Sequence, residues 1–197
     1  AIVPETTVLK LPNGLQIYLV EDPSAAEVTW ELTLDYTPFL EGKQSGMMEL
    51  VGVMFGKGSD AFSASYFADG LASMGASFEG SATGFVAQCP KGQSGEMLRL
   101  VADAVIHPIF PQEEFDSIKA SASERAELGS SSAQVVGDNM VSVANFGQGH
   151  PYGEVTTPQT IDAIRREDLV AKHNTFFRPN IAHLMVVGNI TADEAYA

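Results

Sequence analysis

The sequence predicts an α+β fold: an antiparallel-rich β-sheet with helices packed on one of its faces. Three observations carry that expectation. Pro12-Asn13-Gly14 joins two short apolar runs, and Asn-Gly is the pair that accepts the positive φ of a tight hairpin turn. Residues 28–35 (VTWELTLD) alternate, with Val28, Trp30, Leu32 and Leu34 on one side and Thr29, Glu31, Thr33 and Asp35 on the other, the mark of a half-buried antiparallel strand. The order of elements, β-β-β-α-α-β-β and then a run of helices closed by a last strand, segregates helices from strands as α+β folds do.

Taken in order, residues 8–11 and 15–20 form the hairpin, residues 28–35 the third strand, and residues 36–44, with Pro38 and Gly42, a loop. Residues 45–59 (SGMMELVGVMFGKGS) read as an amphipathic helix running into a glycine-rich turn. Met47, Leu50, Val51, Met54 and Phe55 make one apolar stripe at helical period. Gly56 and Gly58 break the helix, and Lys57 stands where a cation suits the negative end of the helix dipole. The one ionisable side chain within the apolar part is Glu49, and no histidine is near it in sequence.

Residues 63–74 form a second helix, capped by Ser63 and stopped by Gly75, with Tyr66, Phe67, Leu71 and Met74 as its buried stripe. Strands over 76–81 and 84–90 flank a turn at Ala82-Thr83. A helix over 95–105 buries Met97, Leu98, Val101 and Val105 and stops before Pro108, whose ring clashes with a continuing helix. Pro111 opens a helix over 112–128 with Glu113 and Glu114 in its first turn, as the dipole prefers. A helix over 132–145, a loop over 146–153 (FGQGHPYG), a short helix from Thr157-Pro158 to Ile164 and a helix over 166–177 follow. Residues 181–187 (IAHLMVV) make a buried strand ended by Gly188, and Thr191-Ala192-Asp193-Glu194 is a capping box for one more helix. A helix opening at the last residues leads us to expect that residues 1–197 are a single domain taken from a longer chain.

Composition narrows the function. With 197 residues and 45% hydrophobic residues the chain can build one substantial core. Twenty-five Asp and Glu against eleven Lys and Arg give a net charge of −14, which repels nucleic acid and anionic lipid. No apolar run reaches the ~20 residues that a membrane span needs. Cys89, alone, excludes an internal disulfide and a thiolate metal cluster; within an apolar strand it reads as a small core residue, with a reactive thiol as the alternative.

Several segments together resemble the pitrilysin, insulinase and mitochondrial-processing-peptidase family of zinc metallopeptidases. They are LPNGLQIYLVED (11–22), SGMMELVGVMFGKGS (45–59), GASF (75–78), HPIFPQEEFD (107–116), GHPYG (149–153), FFRPN (176–180) and MVVGNI (185–190). Their order and spacing span nearly the whole chain. The resemblance implies one αβ half-unit of a clam-shaped peptidase chamber. The family's catalytic helix carries an inverted zinc motif, H-x-x-E-H, in which two imidazoles at i and i+4 hold the metal and the glutamate between them activates water. Aligned on Gly46 and Lys57-Gly58-Ser59, the first histidine position holds Glu49, the glutamate position Gly52 and the second histidine position Val53. The distant third-ligand position falls at about Arg125, between Glu124 and Glu127.

Such a set offers no catalytic residue and no metal site of its own, so the chain resembles the family's degenerate members, with zinc expected in an active partner. The resemblance implies a non-catalytic domain that completes a peptide-enclosing chamber beside an active domain or subunit of the same family, with a peptide as substrate and an envelope or periplasmic location. The alternative is a structural core protein derived from a peptidase with no role left in proteolysis. Glu49 reads either as a remnant facing the chamber or as a solvated or helix-capping carboxylate. His107, His150, His173 and His183 form no i, i+4 pair and read as structural. The glycines at 46, 52, 56 and 58 lie in and after a helix, not in a phosphate loop, and there is no G-x-S-x-G elbow.

Overall fold

A computed structural model describes residues 5–196. Within it β1 (Thr7–Lys10), β2 (Gln16–Glu21), β3 (Glu27–Leu34), β4 (Ser77–Ser81), β5 (Gly84–Pro90) and β6 (Ala182–Gly188) form one sheet in the order β1-β2-β6-β3-β5-β4. The β1–β2 hairpin turns at Gly14, whose φ is 96°. Pairing is antiparallel except between β2 and β6, which run parallel because the whole helical region crosses between them.

Strand register sorts the two faces. Phe78, Ala87, Trp30, Val186 and Leu19 stand in line across five strands on the helix-covered face. Of these Ala87, Val186 and Leu19 are fully buried, and Trp30 donates its indole N–H to Ser94 Oγ at 3.2 Å. The next register row, Glu79, Val86, Glu31, Met185 and Tyr18, lies on the opposite face, where Val86 and Met185 are exposed. The sheet therefore buries one face, as its alternation predicts.

Helices α1 (Met47–Val53), α2 (Ala64–Met74), α3 (Ser94–Ile106), α4 (Gln112–Ser130), α5 (Ala133–Phe146), α6 (Pro158–Asp162), α7 (Arg166–Phe176) and α8 (Ala192–Tyr196) complete the fold. Their ends follow local chemistry. Ser63 accepts the Tyr66 N–H at 3.2 Å, Thr157 and Thr160 cap α6 reciprocally, and Thr191 and Glu194 do the same for α8. Among the described residues no helix is long and apolar enough to cross a membrane. Cys89 is fully buried on β5, and burial, followed by the charge of Glu27, pushes its thiol pKa up, so it is a core residue.

The structure changes two expectations and adds one observation. Residues 45–59 do form a helix running into a glycine-rich turn, but the helix is shorter and less one-sided than its stripe implies. It stops at Val53, and Met47, Met48, Leu50, Val51 and Gly52 are all buried. Met54 and Phe55 are buried too, in the turn that follows. The helix is wrapped, with Glu49 its exposed exception. Tyr66, expected in the buried stripe of α2, is 52% exposed and stacks on Phe62 at 4.8 Å. No residue of α5 is buried, although its sequence is rich in valine.

Candidate functional site

The helix that the sequence singles out lies under a cleft of about 420 Å³. Its walls are the loop before α1, the β4–β5 turn at Ala82-Thr83 and the segment from Pro151 to Thr156. Tyr36, Phe39 and Tyr152 give it an aromatic lining, with Met48 and Glu49 on the α1 side. Tyr36 donates its hydroxyl to the Ala82 carbonyl at 3.2 Å, and burial, helped by the charge of Glu41, raises its pKa.

Two carboxylates absent from the sequence-level candidates fix this cleft. Gly46 enters α1 with φ 98°, and the first N–H groups of the helix have no side-chain cap of the usual kind. Glu41 supplies the acceptor from the preceding loop: its carboxylate takes N–H bonds from Gly46 at 2.6 Å, Met47 at 3.1 Å and Met48 at 2.8 Å. A negative group there also complements the helix dipole. Glu154, far along the chain, accepts the Glu41 N–H at 2.9 Å and the Gly42 N–H. Ser45 is held by Thr156 at 3.1 Å and by Thr160, which donates to its carbonyl at 2.9 Å. Gln44 reaches Asp168 at 2.6 Å. The start of α1 is thereby clamped by residues 154–168. A side-chain hydrogen bond over more than a hundred residues has no local sequence signature, but Glu41 five residues ahead of a helix-opening glycine was the legible hint.

Each sequence-predicted position can now be placed. Glu49 is exposed at the cleft and makes no hydrogen bond or ion pair among the described residues. Gly52, on the same turn, is buried with its backbone against β4: a Cβ there would run into the Ser81 backbone, and one on Gly80 into the Gly52 carbonyl. Val53 is half-buried. Arg125 lies exposed on α4, does not line the cleft, and makes no ion pair among the described residues. The geometry brings Glu49, Gly52 and Val53 onto one short helix and leaves Arg125 outside the cleft.

The four histidines lie elsewhere. His173 of α7 is buried, packs on Phe55 and Phe110, stacks on Phe177 at 5.0 Å and donates Nε2–H to the Val105 carbonyl at 2.7 Å. Burial lowers its pKa, so it stands neutral. His107 caps the end of α3, and His150 accepts the Tyr152 N–H at 3.2 Å. The fold brings Asp35 to 4.0 Å from His183. Among the described residues no group of three or more His, Cys, Asp or Glu side chains is disposed to hold a metal ion.

No protein-family model and no curated protein matches the sequence. Solved structures do match the fold. A peptidase M16 inactive domain from Pseudomonas fluorescens superposes with a TM-score of 0.86 at 19% identity, over 97% of this chain and 48% of that one. A protease from Helicobacter pylori gives 0.85 at 17% identity, over 99% and 49%. A putative M16-like peptidase from Alicyclobacillus acidocaldarius gives 0.83 at 17% identity, over 100% and 49%. The chain thus spans about half the length of the structures it matches. At these identities the agreement is one of architecture, and it is the architecture that the sequence motifs implied: the chain has the fold of one M16 peptidase half-unit.

Proposed function

We propose that this chain is a non-catalytic domain of the M16 peptidase type, which completes a peptide-enclosing chamber beside an active companion of the same type. The observation that carries the reading is the backbone contact between Gly52 and Ser81. At the position where the motif alignment puts the water-activating glutamate, no side chain of any kind fits. Beside it stand one carboxylate, Glu49, and one isopropyl group, Val53, where two imidazoles are required; the aligned third position, Arg125, is a cation. This donor set does not fit a zinc ion, which takes three protein ligands from N, S and O donors in such sites.

Three further facts support the reading. The matched half-length agrees with a companion half of similar size. One of the matched structures is itself described as an inactive domain. Helix α5 exposes Val135, Met140, Val141 and Phe146 without burying a single residue, which leaves apolar side chains around it open to a partner. Zinc and peptide hydrolysis then belong to the companion.

Metal analysis and peptidase assay of the purified chain, alone and mixed with a companion bearing an intact H-x-x-E-H, test the proposal. The expected result is no zinc and no hydrolysis for the chain alone, with activity of the companion dependent on mixing. Stoichiometric zinc in the isolated chain, lost when a histidine is replaced, would overturn it. The triple variant Glu49→His, Gly52→Glu, Val53→His is expected to gain neither zinc nor stability, because its new glutamate has to displace the Ser81 backbone.

A further inference from the structure

A second cavity, of about 290 Å³, opens at the same end of the strands as the α1 cleft but beneath β3, β6 and β2, where the β1–β2 turn meets the end of α3 and the segment after α7. Its walls are hydrocarbon: Leu15 from the turn before β2, Leu32 and Leu34 from β3, Val105 from α3 and Phe177 behind α7. Ile106 stands at the rim, 62% exposed, so the space is open to solvent. The one charged side chain lining it is Arg178, whose guanidinium makes no ion pair among the described residues. The contrast with the cleft over α1 is chemical, since three glutamates line that cleft and no carboxylate lines this cavity.

We propose that this cavity binds an apolar group ending in a carboxylate, such as the C-terminal residue of an apolar peptide or a short fatty acid. The wall rewards removal of hydrocarbon from water, and small-molecule pockets combine such a wall with a few fixed polar groups. Arg178 supplies a planar fork of N–H donors matched to two carboxylate oxygens. Asn13, on the same rim, has its Oδ1 taken by the Leu15 N–H at 3.1 Å, which leaves its amide nitrogen as a further donor. The wall is preformed: Phe177 is gripped by the His173 stack at 5.0 Å and the edge of Phe55 at 4.9 Å, so little ordering accompanies binding. At ~30 Å³ for each water displaced, the volume suits a ligand of about ten non-hydrogen atoms. In a chain of net charge −14, an anion is drawn to a site of this kind by the local guanidinium and not by the surface at large.

The test is an NMR titration of the isotopically labelled chain with octanoate, octanol, acetyl-leucyl-leucine and the C-terminal amide of that dipeptide. Octanoate and the dipeptide acid are expected to shift the methyl signals of Leu15, Leu34, Val105 and Ile106. The exposed substitution Arg178→Gln is expected to weaken both acids at least about tenfold while leaving octanol unchanged, the loss typical of a charge-assisted hydrogen bond. The tighter of the two acids identifies the source of the carboxylate. The proposal fails if neither acid shifts the cavity methyls, if the shifts map elsewhere, or if Arg178→Gln binds octanoate as the natural chain does.

Discussion

Helices α1 and α5 share valine, methionine, one acid and one interior glycine, and sit in opposite environments. Each carries one ionisable side chain, Glu49 or Asp138, and one interior glycine, Gly52 or Gly137, though α5 also carries Gln134, Asn139, Ser142 and Asn145. Helix α1 is buried almost all round, whereas α5 buries nothing. The glycines separate them most sharply. A Cβ on Gly52 would collide with the Ser81 backbone, while one on Gly137 would meet nothing within 4 Å. Apolar composition therefore states that a helix needs a cover; it does not state whether the chain itself supplies one. Helix α1 is covered by β4 and α7, whereas α5 rests on α4 and the Pro151–Gly153 turn without burying any residue.

The sharpest way to break the comparison is Gly52→Ala. Overpacking a core usually costs ~1–3 kcal/mol, and here the obstacle is main chain, which cannot rotate away, so a loss of at least about 3 kcal/mol is expected. Urea denaturation measures it. A loss below ~1 kcal/mol would mean that α1 can lift from β4, and with it the argument that no glutamate fits at 52 would go.

Next comes the clamp on α1. Glu41→Ala removes the acceptor of three helix-opening N–H groups in a half-buried setting. A lost cap costs ~0.5–2 kcal/mol, and a charged acceptor sits at the upper end, so about 2 kcal/mol is expected. Amide hydrogen exchange at Met47 and Met48 should quicken in the same variant. The corresponding change at the start of α5, Ser132→Ala, deletes one N–H bond at 3.5 Å and is expected to cost less than half as much.

A pH-gated effect follows, confined to the α1 side because His173 packs on Phe55 just beyond that helix. Burial holds the His173 pKa below its ordinary value; the bond to Val105 opposes this only in part, while Arg178 and His107 add to it. The unfolded imidazole titrates near ~6.5. Above that pH neither state carries the proton and the full stability is present. As pH falls below ~6.5 the unfolded chain takes up a proton that the folded chain refuses, so stability declines until the lowered folded pKa is passed. Urea midpoints between pH 7.5 and 5 should fall accordingly, and His173→Gln, which keeps a donor for Val105 without the titration, should flatten that part of the profile.

Much of the fold could be read from local chemistry. The Asn13-Gly14 turn, the alternation through Trp30, the caps at Ser63 and Thr191 and the stripe through Leu50 and Met54 each follow from a period or a terminus, and each lies within a few residues of its cause. The site was less legible because its causes are distant. Glu154 closes onto Glu41 and Gly42 across more than a hundred residues, the parallel β2–β6 pair joins the first and last parts of the sheet, and the Gly52–Ser81 approach pairs a helix with an edge strand. Tyr66 shows the limit of periodicity: it keeps the helical spacing of a buried stripe, yet it stacks on Phe62 in solvent because α2 meets α3 through its Phe67–Met74 side. For α5 the sequence supports a helix, and only the fold shows that no residue of it is buried.

The smallest expected effects belong to α5, and they are informative for being small. Gly137→Ala removes unfolded-state freedom at an open helical position and should stabilise the chain by ~0.5–1 kcal/mol, opposite in sign to the same change at Gly52. Met140→Lys should leave stability within ~0.5 kcal/mol, because Met140 is 67% exposed and lysine matches methionine in helix propensity. The equivalent change at Met54, fully buried, would strand a charge in the core. If Met140→Lys proved costly in the isolated chain, α5 would be packing against this molecule in solution after all. If it is neutral alone but abolishes assembly with an active companion, the exposed face of α5 is where that companion sits, and the difference between the two helices becomes a difference between a contact made within the chain and one made across an interface.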